Sequence, residues 1–282
     1  MCLAITLYLS RLRLSLFFVH FFILLIYSIN LTWLYRSPVN EIQIKGFKTD
    51  GNVDVVMVGA SDVYRFYYPY QAWKDAGITS YNYATPFGRL DLLKYYLEDI
   101  RSKNNQAELY VISVRTIFFM TDEIIEPTLR YWSDAISPTS LTRFKGINSY
   151  LFSRDVDIST LPSYYFDIIK YHSNKDALSS ETNWSNLKGE NLLYYTKGFS
   201  PGDNCEPFSK PTWNDNRIAL NKRQSDALNA ILDYCDKEKM NVLFTCCPIS
   251  PLKEEIGIIN TCGDIIEKRG YHFLNFNRKR QI

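Results

Sequence analysis

The chain reads as an α/β protein: a three-layer α/β/α arrangement around a mostly parallel five-stranded sheet, preceded by one transmembrane helix. Three observations predict this. Short apolar, β-branched runs recur, beginning with Val53-Asp54-Val55-Val56-Met57-Val58-Gly59. Such runs mark parallel strands covered on both faces. Segments with apolar residues at helical spacing alternate with them, which gives a parallel sheet flanked by helices. Ahead of everything lies Leu14 to Tyr35, which holds no Lys, Arg, Asp or Glu. It is about long enough to cross a bilayer as a helix.

The elements follow in order. Arg11 and Arg13 precede the span and Arg36 follows it. The positive-inside rule then places residues 1–13 in the cytoplasm and exports the remainder. A cleaved signal peptide is the alternative, but the apolar run exceeds a typical signal core and no small-x-small site follows it. Residues 36–52 read as a juxtamembrane linker, and 53–282 as the main domain. Val53 to Gly59 is the first strand. Tyr70 to Ala76 is a short helix stopped by Gly77. Ile78 to Tyr83 is the second strand, and Leu90 to Ser102 a helix with Leu90, Leu93, Tyr96, Leu97 and Ile100 on one face. Leu109 to Val114 is the third strand. Residues 119–217, rich in Tyr, Ser, Asn and Asp, form a mainly helical insertion over the carboxyl edge of the sheet, because a structureless loop of that length is rare inside a domain. Within it Tyr164 to Tyr171 reads as one helix and Gly198 to Pro211 as a loop. Ile218 to Lys239 is helical, Asn241 to Cys246 the fourth strand, Pro251 to Arg269 a helix interrupted by Gly257 and Gly263, and His272 to Phe276 the fifth strand.

Composition narrows the function classes. Hydrophobic residues make up 46% and charged residues 22% of the 282, so the chain is globular rather than disordered. A net charge of +2, with no basic stripe, gives no footprint for nucleic acid. The 21 Tyr and 17 Phe suit either an aromatic core or surfaces that meet sugar rings or partners. No C-x-x-C pair occurs, so neither a zinc site nor a thioredoxin-type site is supported, and no cofactor is called for. Cys246 and Cys247, at the end of an apolar strand, read as core residues. One disulfide among Cys205, Cys235 and Cys262 stays open.

The chemistry gathers at Gly59-Ala60-Ser61-Asp62. A serine just past the first parallel strand lies where open α/β sheets bind their ligands. Its alternative role is an ordinary turn or N-cap serine, shared with Asp62. With the strands Ile78-Thr79-Ser80-Tyr81-Asn82-Tyr83 and Leu109-Tyr110-Val111-Ile112-Ser113-Val114, this motif resembles the SGNH/GDSL hydrolase family over most of 53–277. The resemblance implies Ser61 as nucleophile. It implies an oxyanion site from the Ser61 amide, from Gly88 in Ala84-Thr85-Pro86-Phe87-Gly88, and from a residue after the third strand. Arg115 stands where the family has Asn, and Ala60 replaces the acidic residue of the Gly-Asp-Ser form.

A serine nucleophile also needs a base, which the family supplies from a late Asp-x-x-His. No Asp-x-x-His occurs in this sequence. His172, near Asp167 in the insertion, is the possible base, or a surface residue. His272, inside a strand, reads as structural. The layout, an anchor and then an exported domain, is similar to membrane-anchored SGNH-like proteins of bacterial cell surfaces, including those of D-alanyl-lipoteichoic acid biosynthesis and polysaccharide O-acetyl transfer. The resemblance implies a hydrolase or acyltransferase acting on cell-envelope polysaccharide or teichoic acid, with a membrane acyl-transfer partner. The alternative is a non-catalytic binding or assembly protein on the same scaffold.

Overall fold

Five strands, Val55–Gly59 (β1), Ser80–Ala84 (β2), Leu109–Ser113 (β3), Val242–Cys246 (β4) and His272–Asn275 (β5), pair in the order β2-β1-β3-β4-β5. Every pairing is parallel. The computed structural model describes residues 13–26, 28, 44, 46–49, 52–103, 107–171, 196–201, 213–248 and 253–278. The strand order is that of the flavodoxin-like doubly wound sheet, whose switch point lies between β1 and β3.

The register puts Tyr83, Val58, Ile112, Phe244 and Phe273 in one row across the sheet. That row belongs to the main core. Leu90–Ser102 (α3), Lys222–Lys237 (α8) and Lys253–Lys268 (α9) cover it with Leu93, Leu97, Leu228, Ile231, Ile259 and Cys262. The opposite face carries Ser61–Tyr64 (α1) and Pro69–Ala76 (α2), with a small cluster of Val63, Tyr64 and Ala84 against Met57. Val55, Met57, Leu109 and Leu243 stay half-buried there. The two faces are therefore covered unequally among the described residues.

Several boundaries follow from local chemistry. Helix α2 ends where expected, because Gly77 takes φ 69° and its N–H donates to Trp73 O at 2.8 Å. Helix α8 starts at Lys222, later than the sequence predicts, since Asn221 and Gln224 form a reciprocal capping box there. Helix α9 runs through both glycines without a break. A methyl at Gly257 would lie 2.7 Å from Ile218, and one at Gly263 2.6 Å from the Phe273 ring. These glycines let neighbours approach; they do not interrupt the helix.

A 3-10 turn, Arg115–Phe119, leads into the expected insertion, whose described residues hold Glu126–Ser133 (α4), Leu141–Phe152 (α5), Leu161–Tyr165 (α6) and Asp167–Tyr171 (α7). The single helix expected over Tyr164 to Tyr171 is broken at Phe166, which is extended (φ −116°, ψ 102°). Helices α4 and α5 of the insertion pack on α3. Trp132 stacks on Tyr96 with ring centroids 5.8 Å apart, and burying the indole decides the docking face. Gly146 makes this fit possible, since a methyl there would sit 2.1 Å from the indole. Arg143, 3% exposed, donates to Asp167 at 2.8 Å and to Ser133 O at 2.7 Å, tying α4, α5 and α7 together.

The expected linker is not free of the domain. Ile44 and Phe47 are buried, and Phe47 meets Tyr81 and Tyr83 edge-on. Two apolar side chains in a polar stretch find the edge of the core. The segment 196–200 lies along the outer edge of β2: Asn82 N–H donates to Lys197 O at 3.0 Å, and a methyl at Gly198 would lie 2.5 Å from Asn82 O. Residues 13–26 are helical with exposed apolar side chains. Among the described residues no helix is long and apolar enough to cross a membrane. The rest of the expected span, apart from residue 28, lies outside the described residues, as does most of the loop expected over 198–211.

Candidate functional site

Strand β1 delivers Ser61 to the carboxyl edge, beside the switch point. The strand ends at Gly59, Ala60 is the N-cap, and Ser61 is the first residue of α1. Ser61 is therefore not the cap. Its hydroxyl is half-buried and makes no hydrogen bond to another described residue. A serine held by its backbone with a free hydroxyl can serve as a nucleophile once a base reaches it.

Asp62 fixes this turn. Its side chain is 1% exposed and accepts the Ala60 N–H at 3.2 Å and the Ser113 hydroxyl from the end of β3. The carboxylate thereby locks α1 to the adjacent strand. Gly59 allows the close approach, since a methyl there would meet Val63 at 2.5 Å and Ser113 at 3.2 Å. Cys246 and Cys247 stand near the same carboxylate. Burial pushes both thiols well up, the negative charge of Asp62 pushes them further, and Arg115 opposes it. They are protonated, inert groups at neutral pH.

Gly88 comes to this turn from the far side. A methyl there would lie 2.9 Å from Gly59 O and 3.1 Å from Ala60 Cβ. The loop after β2 is thus packed flush against the end of β1. The Gly88 N–H, however, donates to Thr85 O at 3.2 Å. An oxyanion role needs that amide released. Phe87, at φ 55°, projects outward and stacks on Tyr131 of α4 at 5.9 Å, which carries the insertion to the rim of the site.

Arg115 follows β3 and is half-buried, with its guanidinium over the Phe119 ring at 5.8 Å. Its Nε is buried without a partner. It forms no ion pair with Asp122, Glu123 or Asp134. Asp122 is taken by Arg223, Asp134 lies between Arg130 and Arg143, and Glu123 offers its backbone carbonyl to Arg154. Arg89, directly after Gly88, reaches the same ring, with its guanidinium 5.4 Å from the Phe119 centroid.

The structure brings Ser61, Gly88 and Arg115 to one edge and leaves the base unplaced. His172 lies outside the described residues. His272 is exposed at the amino end of β5, opposite the edge that carries Ser61, so it is neither a base for Ser61 nor a buried structural residue. Cys235, Cys246, Cys247 and Cys262 are free thiols, and Cys205 lies outside the described residues. Among the described residues no cluster of His, Cys, Asp or Glu could hold a metal ion.

The locking roles of Asp62 and Ser113, and Arg89 altogether, escaped the sequence reading, which gave Asp62 only a share in the turn or N-cap. Polar residues directly after a buried strand are the signal that marks the first two. Arg89 carried no signal beyond its place next to Gly88. The fold and edge define an α/β protein of flavodoxin-like topology with a serine at the switch point. No family model, no curated protein and no solved structure matches the chain.

Proposed function

We propose that the chain is a membrane-anchored, exported SGNH-like acyl-ester hydrolase or acyltransferase, acting on cell-envelope glycan or teichoic acid through Ser61. One observation carries the reading: an uncommitted serine hydroxyl at the switch point, with the Gly88 loop packed against the same turn. In this mechanism Ser61 Oγ gives its proton to the base and attacks the acyl carbonyl; the bond to the donor alcohol breaks, that alcohol leaves with the proton, and the acyl group stays on Ser61 as an ester. Water or an acceptor hydroxyl, deprotonated by the same base, then takes the acyl group, and Ser61 regains its proton. Arg115 and the Ser61 amide face the developing negative charge. His172 is the candidate base.

A second reading is favoured by two specific observations: no described imidazole reaches the carboxyl edge, and the Gly88 amide is already engaged. In it the same edge binds an envelope polymer without turnover.

A fluorophosphonate probe on the full chain separates the two. Loss of a triad member typically removes on the order of 10⁴ to 10⁶ in rate. Labelling is therefore expected to be slow but to vanish in Ser61→Ala. Brisk labelling lost in both Ser61→Ala and His172→Ala would establish His172 as the base. Identical labelling of the parent and Ser61→Ala would move the protein to the binding reading.

A further inference from the structure

Two arginines at the edge that carries Ser61 form no ion pair with a described residue. Arg89 and Arg115 both place their guanidinium groups over Phe119, at 5.4 and 5.8 Å from the ring centroid. The Nε of each is buried with no hydrogen-bond partner. Neither forms an ion pair among the described residues, whereas the three buried arginines, Arg130, Arg143 and Arg154, all do. Arg154 holds Asp91 at 2.6 Å, and Arg143 holds Asp167 at 2.8 Å.

The position makes the lack of a partner costly. Arg89 is the N-cap of the 13-residue helix α3, and no side chain caps that end. A cation there faces the positive end of the helix macrodipole. Burial lowers the Arg89 pKa, and the charge of Arg154 lowers it further, against Tyr150 and Asp91. Asp91 is already neutralised by Arg154, and Asp62 is engaged by Ser113. Two partly desolvated cations, a shared aromatic ring and an uncapped helix end therefore converge at the edge that carries the serine. The partly desolvated cations and the uncapped helix end are unfavourable alone, the cation–π contacts with Phe119 offset only part of that cost, and one bound anion satisfies both together. Guanidinium forks match the planar or tetrahedral oxygens of carboxylates and phosphates.

We propose that Arg89 and Arg115 bind an anionic group of the substrate, a phosphate or carboxylate repeated along the polymer, and so select an anionic rather than a neutral envelope polymer. This deepens the reading of the carboxyl edge as a substrate site and rests on it. Arg115 then acts first in substrate binding, with Phe119 holding both forks in place.

The test is calorimetric titration of the full chain in detergent micelles with three probes: a glycerol phosphate oligomer, an oligogalacturonate and neutral maltohexaose. One or both anionic probes should bind and the neutral probe should not. Which anion binds decides between phosphate and carboxylate. Arg89→Gln and Arg115→Gln should each weaken binding about 10- to 100-fold, as loss of a charge-assisted hydrogen bond does. Arg89→Lys and Arg115→Lys keep the charge but lose the fork, and should fall between; they also serve if a Gln variant fails to fold. No binding of either anion at millimolar concentration, or binding unchanged in the Lys and Gln variants, would overturn the proposal. Ser61-dependent labelling without anion binding defeats this inference alone. Anion binding without labelling defeats only the catalytic reading.

Discussion

Alanine at Gly59 probes how tightly the turn into Ser61 is built. The added methyl would lie 2.5 Å from Val63 Cγ2 and 3.2 Å from Ser113 Cβ. Val63 is 1% exposed, and its branched side chain has few rotamers to escape into. Ser113 is fully buried and bonded to Asp62. Overpacking of this kind costs about 1–3 kcal/mol, while replacing Gly by Ala in a strand returns roughly 0.5–1 kcal/mol. The net loss is then about 0–2.5 kcal/mol, or a melting temperature lower by up to about 10 °C for a domain of this size. Thermal unfolding of the full chain in micelles, followed by circular dichroism, measures it. The double variant Gly59→Ala/Val63→Ala removes the clashing methyl, so the two substitutions should be non-additive by roughly 0.5 kcal/mol or more. A Gly59→Ala chain that melts at or above the parent, with an additive double variant, would refute the packing argument.

Other expectations are more local. Arg143→Met takes away the buried cation paired with Asp167 and should cost about 3–5 kcal/mol in denaturant unfolding, as breaking a buried pair does. The Cys235 thiol is pushed up to about 12 by burial, against an ordinary value of 9.0, with Asp236 adding to the shift. A group with a raised folded pKa stabilises below its unfolded value, so stability should fall as pH rises from about 9 towards 12, and Cys235→Ala should flatten that fall. The same burial should keep Cys246 and Cys262 unreactive to iodoacetamide at pH 7.5 until the protein unfolds, as mass spectrometry would show. With the N-terminus inside, thiol labelling introduced at exposed positions such as Ser159 should succeed on intact cells; labelling only after lysis would reverse the topology.

Much of the frame was legible because strand and helix periods are local properties. Leu90–Ser102 has the bounds expected of it, since Leu90, Leu93, Tyr96, Leu97 and Ile100 repeat at helical spacing. The alternation of elements gave the parallel sheet. What escaped depends on partners distant in sequence. Gly257 and Gly263 read as breaks until Ile218 and Phe273 were placed against them. Ile44 and Phe47 read as linker because two apolar residues in a polar stretch carry no period. At the site, Ser61 was visible from its place after β1. Its lock was not, because Asp62 and Ser113 are 51 residues apart in the chain. The aromatic residues divide between both readings offered for them: Tyr81, Tyr83, Tyr96 and Trp132 are core, while Tyr70 and Trp73 are exposed.

The strip at residues 196–200 bears on how the molecule keeps to itself. Strand β2 ends the sheet, and an open edge strand is a template on which a second molecule can add its own strand. Here all five β2 residues are buried. The Lys197 carbonyl takes up the Asn82 N–H that a stranger would otherwise bond, and Gly198 lies so close that no foreign backbone fits between. The β2 side of the sheet is thereby closed by the chain's own insertion, although it lies more than a hundred residues further along. A substitution that lifts this strip, such as Gly198→Val, should show itself first as self-association and only afterwards as loss of folding.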